Sequence, residues 1–376
     1  MRVGVALLVG VLLAATPVNA AVLYSITDLG TLGGSQSQAF GINASGMVTG
    51  DSTFAGDTKI HAFLYDGGKM IDLGTLGGQA SHGYGINDLV QVTGQSTVAG
   101  EATFHAFLDD GRSMDDLGTL GGTRSLGTGI NNSGQVTGYS DLADGGTFHA
   151  FLHDGTKMID LGTLGGNHSA GRGINNLGQV TGSSDIAGFG SHAFLYDGGS
   201  MIDLGTLGGS AASGNGINDL GRVAGVSRIA GDAAVHAFLY DGSGMVDLGT
   251  LGGGDSFGNA VNGLGQVVGY SFTTGSSLEH AFMYNGTSMV DLNRLINPQA
   301  GWFLNNATDI NDAGQIVGNG IIEGQTHAFV LTPLSNGAVP EPAVWAMMIA
   351  GFGIVGGLAR REGNAHHARP SFVEGC

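Results

Sequence analysis

The residues that could do chemistry in this chain come in sevens. The triplet His-Ala-Phe begins at His61, His105, His149, His192, His236, His280 and His327. Near each stands an aspartate of the segment Asp-Leu-Gly-Thr-Leu-Gly-Gly, at Asp28, Asp72, Asp116, Asp160, Asp203 and Asp247, with a degraded copy, Asp-Leu-Asn-Arg-Leu-Ile-Asn, at Asp291. Imidazole and carboxylate together suggest proton transfer or metal ligation. Repetition argues against both. Glycoside hydrolysis needs two carboxyls at a set separation in one cleft, and no copy is singled out from the others. Equivalent histidines, one per repeat, lie too far apart to share an ion at ~2.0–2.1 Å per Zn–N bond. There is no calcium-loop pattern, no Gly-x-Ser-x-Gly turn, and Gly-Thr-Leu-Gly-Gly lacks the Lys-Ser/Thr ending of a phosphate loop. No catalytic residue, metal ligand or cofactor is therefore assigned. Each repeated histidine is expected to hydrogen-bond an aspartate or backbone group of its own repeat. His82, His153 and His168 read as scattered surface or loop residues.

The elements that must position these groups repeat with them. Successive His-Ala-Phe triplets are 44, 44, 43, 44, 44 and 47 residues apart, and an asparagine recurs at Asn43, Asn87, Asn131, Asn175, Asn218, Asn262 and Asn311. A period held this tightly marks a repeat architecture. One copy offers four strand-like pieces, here called A (82–87), B (91–96), C (105–110) and D (113–118). The turn after A ends in Gly in most copies but in Val90 in this one, and Asp110-Gly111 joins C to D. No stretch of a repeat shows helical periodicity.

Four short antiparallel strands of this total length make a β-propeller blade; a β-solenoid rung is the alternative. The ends of the array favour the propeller. The chain opens with a lone D-type strand, 24–29, and closes with A, B and C but no D, because Pro333 follows where the other copies turn. Pairing the first strand with the last blade removes two exposed sheet edges, whereas a solenoid calls for polar capping repeats. The expected fold is all-β: a seven-bladed propeller of four-stranded antiparallel blades over residues 22–333, with the N-terminal strand completing the last blade. Glycine, 72 residues of 376, then lets strands covered on both faces approach closely.

Charge excludes some partners. The net charge is −18, without the Lys/Arg clusters that phosphate neutralisation needs, which disfavours nucleic acid. The single cysteine is Cys376, so no disulfide forms within the chain. Between Ala21 and Ala338 there are 28 acidic and nine basic residues, which leaves room for a weak calcium-linked role. The B-to-C connections differ most between copies, and with the D-to-A links they share one rim, the expected binding face. The D-to-A link before the last blade is five residues longer and carries Arg294, Trp302 and Phe303, candidates for stacking on a sugar ring.

Both ends read as addresses. Arg2, an apolar run over 3–15 and small residues up to Ala20 have the pattern of a cleaved signal peptide, residues 1–20. After a linker over 334–342, residues 343–359 are uncharged and mostly apolar, about 26 Å long as a helix, and Arg360 and Arg361 close them ahead of a tail to residue 376. Pro340-Glu341-Pro342, the apolar segment and the arginine pair together resemble a PEP-CTERM sorting signal. That resemblance implies an exosortase-type processing enzyme as partner, attachment to the inner membrane through the C-terminal helix before processing, and an exopolysaccharide-producing Gram-negative host. His-Ala-Phe with the DLGTLGG and GIN…GQVTG segments resembles the HAF family of bacterial extracellular repeats over residues 22–333. The functional expectation is an exported, non-catalytic surface or matrix protein linked to exopolysaccharide. A lectin-like propeller binding surface glycan is the alternative, and a glycan hydrolase or lyase the third reading.

Overall fold

The computed structural model describes residues 23–100 and 103–334, almost all of them in short strands and tight turns, with single-turn 3-10 helices at Ala230–Asp232, Leu292–Arg294 and Pro298–Ala300. The sorting-signal residues Pro340 to Arg361 and the leader ending at Ala20 lie outside this range. Among the described residues no helix is long and apolar enough to cross a membrane.

Strands A to D pair antiparallel in sequence order. In the second repeat they are Gly77–Ile86, Val92–Val98, Phe104–Asp109 and Met114–Asp116. The sheets hold four or eight strands, and each eight-stranded sheet is two such units joined by one parallel pair, Ile60 with Ala80 or Ser191 with Ala211. In the last unit Phe303–Ile310, Ile316–Ile322 and Gln325–Pro333 supply A, B and C, and the fourth strand is Tyr24–Asp28, paired antiparallel from Tyr24 with Pro333 to Asp28 with Phe329.

Strand A is longer than its sequence pattern and begins at Gly77 rather than at residue 82. The Leu-Gly-Gly end of the link between units feeds straight into it. The Thr97 hydroxyl accepts the N–H groups of Gln79 and Ala80 and holds that early backbone extended, while register shifts after Gly77 and Gly83 absorb the irregularity. Strand D is shorter, because the chain turns at once on an aspartate: Gly118, at φ +71°, donates its N–H to Asp116 Oδ1 at 2.8 Å.

The apolar layers lie between units. Ala106 of one unit packs with Ile130, Val136 and Phe151 of the next, and Ala150 with Val180 and Phe194 of the one after. The same layer joins the last unit to the first: Val317, Ala328 and Val330 pack with Ala39, Val48 and Phe63. All seven phenylalanines of the triplet are fully buried, each contributing about 1.5–3 kcal/mol of transfer free energy. The glycine of Val-Thr-Gly is compelled by this packing. A Cβ on Gly138 would collide with the carbonyl oxygen of Leu126 and press on the Phe151 ring.

Val90 is out of place. At the equivalent turn position Gly46, Gly134, Gly178, Gly221, Gly265 and Gly314 take φ values of +72 to +81°, and Val90 is forced to +64°. A β-branched residue in that region is strained by roughly 1–2 kcal/mol. Val90→Gly is therefore expected to raise stability by about 1 kcal/mol, once the extra flexibility of the unfolded chain is set against the relieved strain. Chemical denaturation of the two proteins reads this directly, and a variant no more stable than the parent would show the turn to be unstrained.

Candidate functional site

The histidine of each triplet reaches the aspartate of strand D in its own unit, Nδ1 to carboxylate 2.8–2.9 Å: His61 with Asp72, His105 with Asp116, His149 with Asp160, His192 with Asp203, His236 with Asp247 and His280 with Asp291. The carboxylate only accepts, so Nδ1–H donates. The same carboxylate accepts the N–H two residues on, as Asp72 does from Gly74 at 2.8 Å. Each pair thus ties strand C to the turn that leaves strand D. The degraded copy keeps the arrangement, with Asn293 in place of the glycine. The seventh pair, His327 with Asp28 at 2.9 Å, spans 299 residues of chain.

Two further repeated groups carry the contacts between units. The hydroxyl of Ser81 accepts the N–H of Ala62 at 2.9 Å and donates to the carbonyl of Gly74, so strand A of one unit is stitched to strand C and the link of the unit before. Ser37, Ser125, Ser169 and Ser256 do the same, Ser37 for Ala328 of the last unit. The asparagines form a cycle. Asn43 Nδ2 donates to the carbonyl of Asn87, and so in turn through Asn131, Asn175, Asn218, Asn262 and Asn311, which donates back to Asn43 at 3.0 Å. The period of the asparagine was visible in the sequence; the serine, and the partners of both in neighbouring units, were not.

Inside the asparagine cycle is a cavity of about 270 Å³, lined by these asparagines and by Ile42, Ile86, Ile130, Ile174, Ile217, Val261 and Ile310. Beyond the apolar residues, five of which line both spaces, a second cavity of about 180 Å³ is lined by the variable residue two before each of them: Phe40, Tyr84, Thr128, Arg172, Asn215, Asn259 and Thr308. Four of these seven spend their polar atoms on the next unit. Thr128 donates to the Gly171 carbonyl, Asn215 to Gly258, Asn259 to Ala307 and Thr308 to Ala39. Phe40 and Tyr84 instead tilt against each other, ring centroids 5.2 Å apart. Burial and the charge of Asp51 push the Tyr84 hydroxyl pKa up.

Asp309 lines the same cavity where most units have glycine, and its carboxylate accepts the N–H of Ile42 at 2.9 Å and of Ile310 at 2.8 Å. Burial outweighs both bonds and raises its pKa to about 6. The folded state then holds a proton that the unfolded chain, near 3.8, has released, so stability falls as pH rises between about 4 and about 6. The span is about two pH units, at most about 3 kcal/mol before screening by cavity water. Asp309→Asn is expected to lose this slope, measured as the difference in denaturation midpoint between pH 4 and pH 7. An unchanged slope would place its origin elsewhere.

On the rim made by the B-to-C connections is a groove of about 530 Å³ over the link at Gly165 and Gly166, the connection through Gly188, Phe189 and Gly190, and Ser210 and Ala211 of the next unit. Phe189 is 89% exposed. Of the three rim candidates, Arg294 is exposed. Trp302 packs edge-on to Phe329 at 6.0 Å and covers Gly320, and Phe303 stands edge-on to His280 at 4.9 Å, so both aromatics are engaged in packing around the last unit. The three additional histidines are not scattered. His82 bonds the buried Asp51 at 2.5 Å, His168 bonds Asp185 at 2.9 Å, and His153 is itself buried, with Nδ1 accepting the N–H of Gly155.

No family model matches the chain, and no curated protein matches it. Solved structures do. The β-propeller domain of the Trilobed protease from Pyrococcus furiosus, described as having an open velcro topology, superposes with a TM-score of 0.51 at 10% identity, covering 81% of this chain and 100% of that domain. TolB from Acinetobacter baumannii follows at 0.42 and 12% identity, covering 77% and 64%. The SapL1 lectin, in complex with alpha methyl fucoside, gives 0.35 and 16%, covering 68% and 95%. The first of these shows the fold: the described body is all-β with a propeller likeness.

Proposed function

We propose that this chain is an exported, non-catalytic propeller of seven blades closed by its N-terminal strand, sorted to the cell surface or extracellular matrix, where it has a structural or interaction role linked to exopolysaccharide. The observation that carries this reading is the use made of the repeated histidines and aspartates. All seven pairs are engaged in the same strand-to-turn bond, so the groups best suited to proton chemistry serve architecture alike in every copy. Closure is supported by the asparagine cycle, by the apolar layer between the last and first units, and by the pairing of Tyr24–Asp28 with Gln325–Pro333. The sorting route rests on the PEP-CTERM-like tail, with an exosortase-type enzyme as partner.

The mass of the protein recovered from cells with and without an exosortase tests the address. A form trimmed near Ala20 and again near the Pro340-Glu341-Pro342 motif is expected with the enzyme, and a form keeping its tail without it. Identical masses in both strains would remove the sorting route. Turnover of any polysaccharide in a substrate panel, abolished by one rim substitution, would overturn the non-catalytic assignment. The lectin-like reading is favoured by one feature of this molecule, the rim groove beside the exposed Phe189.

A further inference from the structure

The one repeat that is a residue short stands beside three cavities that share lining residues. The step from His149 to His192 is 43 residues, and the connection it shortens, Asp185 to Ser191, forms the wall of the rim groove. There Gly188 and Gly190 take φ of +105 and +113°, and Gly190 lies so close to the Ser210 carbonyl that no side chain fits. Phe189 between them is turned outward. Ser191 and Ala211 line both this groove and a pocket of about 290 Å³, and Arg172 lines both that pocket and the 180 Å³ cavity inside the A strands. The three spaces thus adjoin in a row from the rim to the interior, a path of neighbouring cavities that share walls.

The middle of the path has a charge opposite to that of the body. Arg172 and Arg228 both line the pocket, and no carboxylate does. The body carries 28 acidic residues against nine basic ones, so two arginines facing one pocket are an electrostatic exception. Among the described residues neither has a carboxylate within ion-pair distance; Arg228 reaches only the backbone carbonyl of Asp232, at 3.4 Å. Both arginine side chains are exposed and so open to a ligand, and Arg172 stands where crowding by protein atoms lowers its pKa. The lining also holds the hydroxyls of Ser183 and Ser213 and the apolar Ala212, Val226 and Val235. It is completed by the buried Ser227, whose hydroxyl is engaged by the backbone of Leu207 and Ala211, and by Phe257, whose ring is stacked on Tyr270 at 4.5 Å. Aromatic faces with a few placed polar groups are the usual make-up of a ligand site.

We propose that this path binds an acidic polysaccharide, with a sugar-ring carboxylate seated on Arg172 and Arg228, its ring against Phe257, and neighbouring sugars lying over the rim beside Phe189. This rests on the reading of the protein as a surface or matrix component and names the ligand class of its rim. Charge pairing at the pocket is local. A carboxylate in contact with the guanidiniums lies well inside the Debye length of about 8 Å at physiological salt, whereas acidic groups farther off are largely screened and only Asp185, in the groove wall, faces the ligand on the rim.

The test is calorimetric titration of the purified full chain with hexagalacturonate, with a neutral hexaglucan of equal length, and with polyglutamate as a ring-free polyanion. Hexagalacturonate is expected to bind, the other two at least tenfold more weakly. Arg172→Gln and Arg228→Gln should each weaken it about tenfold or more, as loss of a charge-assisted bond does, with unchanged thermal midpoints. Phe189→Ser should weaken the hexamer but not galacturonate itself. Equal binding by the arginine variants, or no binding of hexagalacturonate, overturns the proposal. Polyglutamate binding as tightly overturns its sugar component. Tight binding of the neutral glucan, indifferent to both arginines, overturns the acidic-ligand assignment and leaves the glycan-linked surface role standing, whereas failure of the address leaves this titration unaffected.

Discussion

Removing residues 23–29 is expected to lower the thermal midpoint by roughly 10 °C or more and to make the protein self-associate. The segment supplies the whole fourth strand of the last unit. With it go five residue pairs with Phe329–Pro333, the bond of Asp28 to His327, the bonds of Leu23 and Tyr24 N–H to the Leu295 carbonyl, and the buried side chains of Tyr24 and Leu29. The two side chains alone are worth about 1.5–3 kcal/mol each, and backbone bonds about 1 kcal/mol each. A loss of about 5 kcal/mol or more corresponds to that shift in a body of this size. The strand Gln325–Pro333 becomes an open edge, which is a template for association. A synthetic peptide of residues 23–30 added in trans should restore the midpoint and disperse the oligomers. A truncated chain that melts with the parent and stays monomeric would mean that the first strand holds nothing together.

Breaking the asparagine cycle is expected to cost about 3–5 kcal/mol from a single residue. Asn175 is buried, donates to the Asn218 carbonyl at 3.0 Å and to Gln179 Oε1 at 2.7 Å, and accepts the N–H groups of Leu177 and Gln179 at 3.1 and 2.9 Å. Asn175→Leu keeps the branched shape and removes all four bonds, leaving the N–H groups of Leu177 and Gln179 without partners in a confined place, while the Asn218 carbonyl keeps only the N–H of Gly221. The same change at Asn131, whose bonds are equivalent, should give the same loss, because the units repeat the contact. Exposed Asn176, whose side chain donates to the Asp219 carboxylate and accepts the N–H of Asn132 where water can replace both, should tolerate Asn176→Ala with a loss below about 1 kcal/mol. Denaturant midpoints for the three variants decide it. A loss at Asn175 no greater than at Asn176 would show that the cycle is incidental to stability.

Within one repeat, the chain's own letters determine a great deal. The histidine lies eleven residues before its aspartate, across a tight turn, and antiparallel pairing puts the triplet opposite strand D whatever the rest of the molecule does. Its alanine and phenylalanine, adjacent and both buried, belong to a strand covered on both faces, which is where glycine is needed for close approach of backbones. The lone opening strand and the missing last one were legible for the same reason, since unpaired strands must find partners. These are short-range consequences of strand alternation and turn chemistry, and they survive without knowledge of the fold.

What lies between units was decided only in three dimensions. Ser81 caps an alanine nineteen residues earlier, Asn311 donates to a residue 268 positions away, and Arg172 and Arg228, from neighbouring units, line one pocket. Each of these depends on how far one rigid sheet is rotated and shifted against the next, which the close packing of buried phenylalanine and alanine layers sets. Trp302 and Phe303 were drawn to the rim on paper because their loop is long, yet that loop folds inward over Gly320 and His280, where apolar area could be covered. Local pattern chooses the strands; the fit of sheet against sheet chooses which side chains are left to face a ligand.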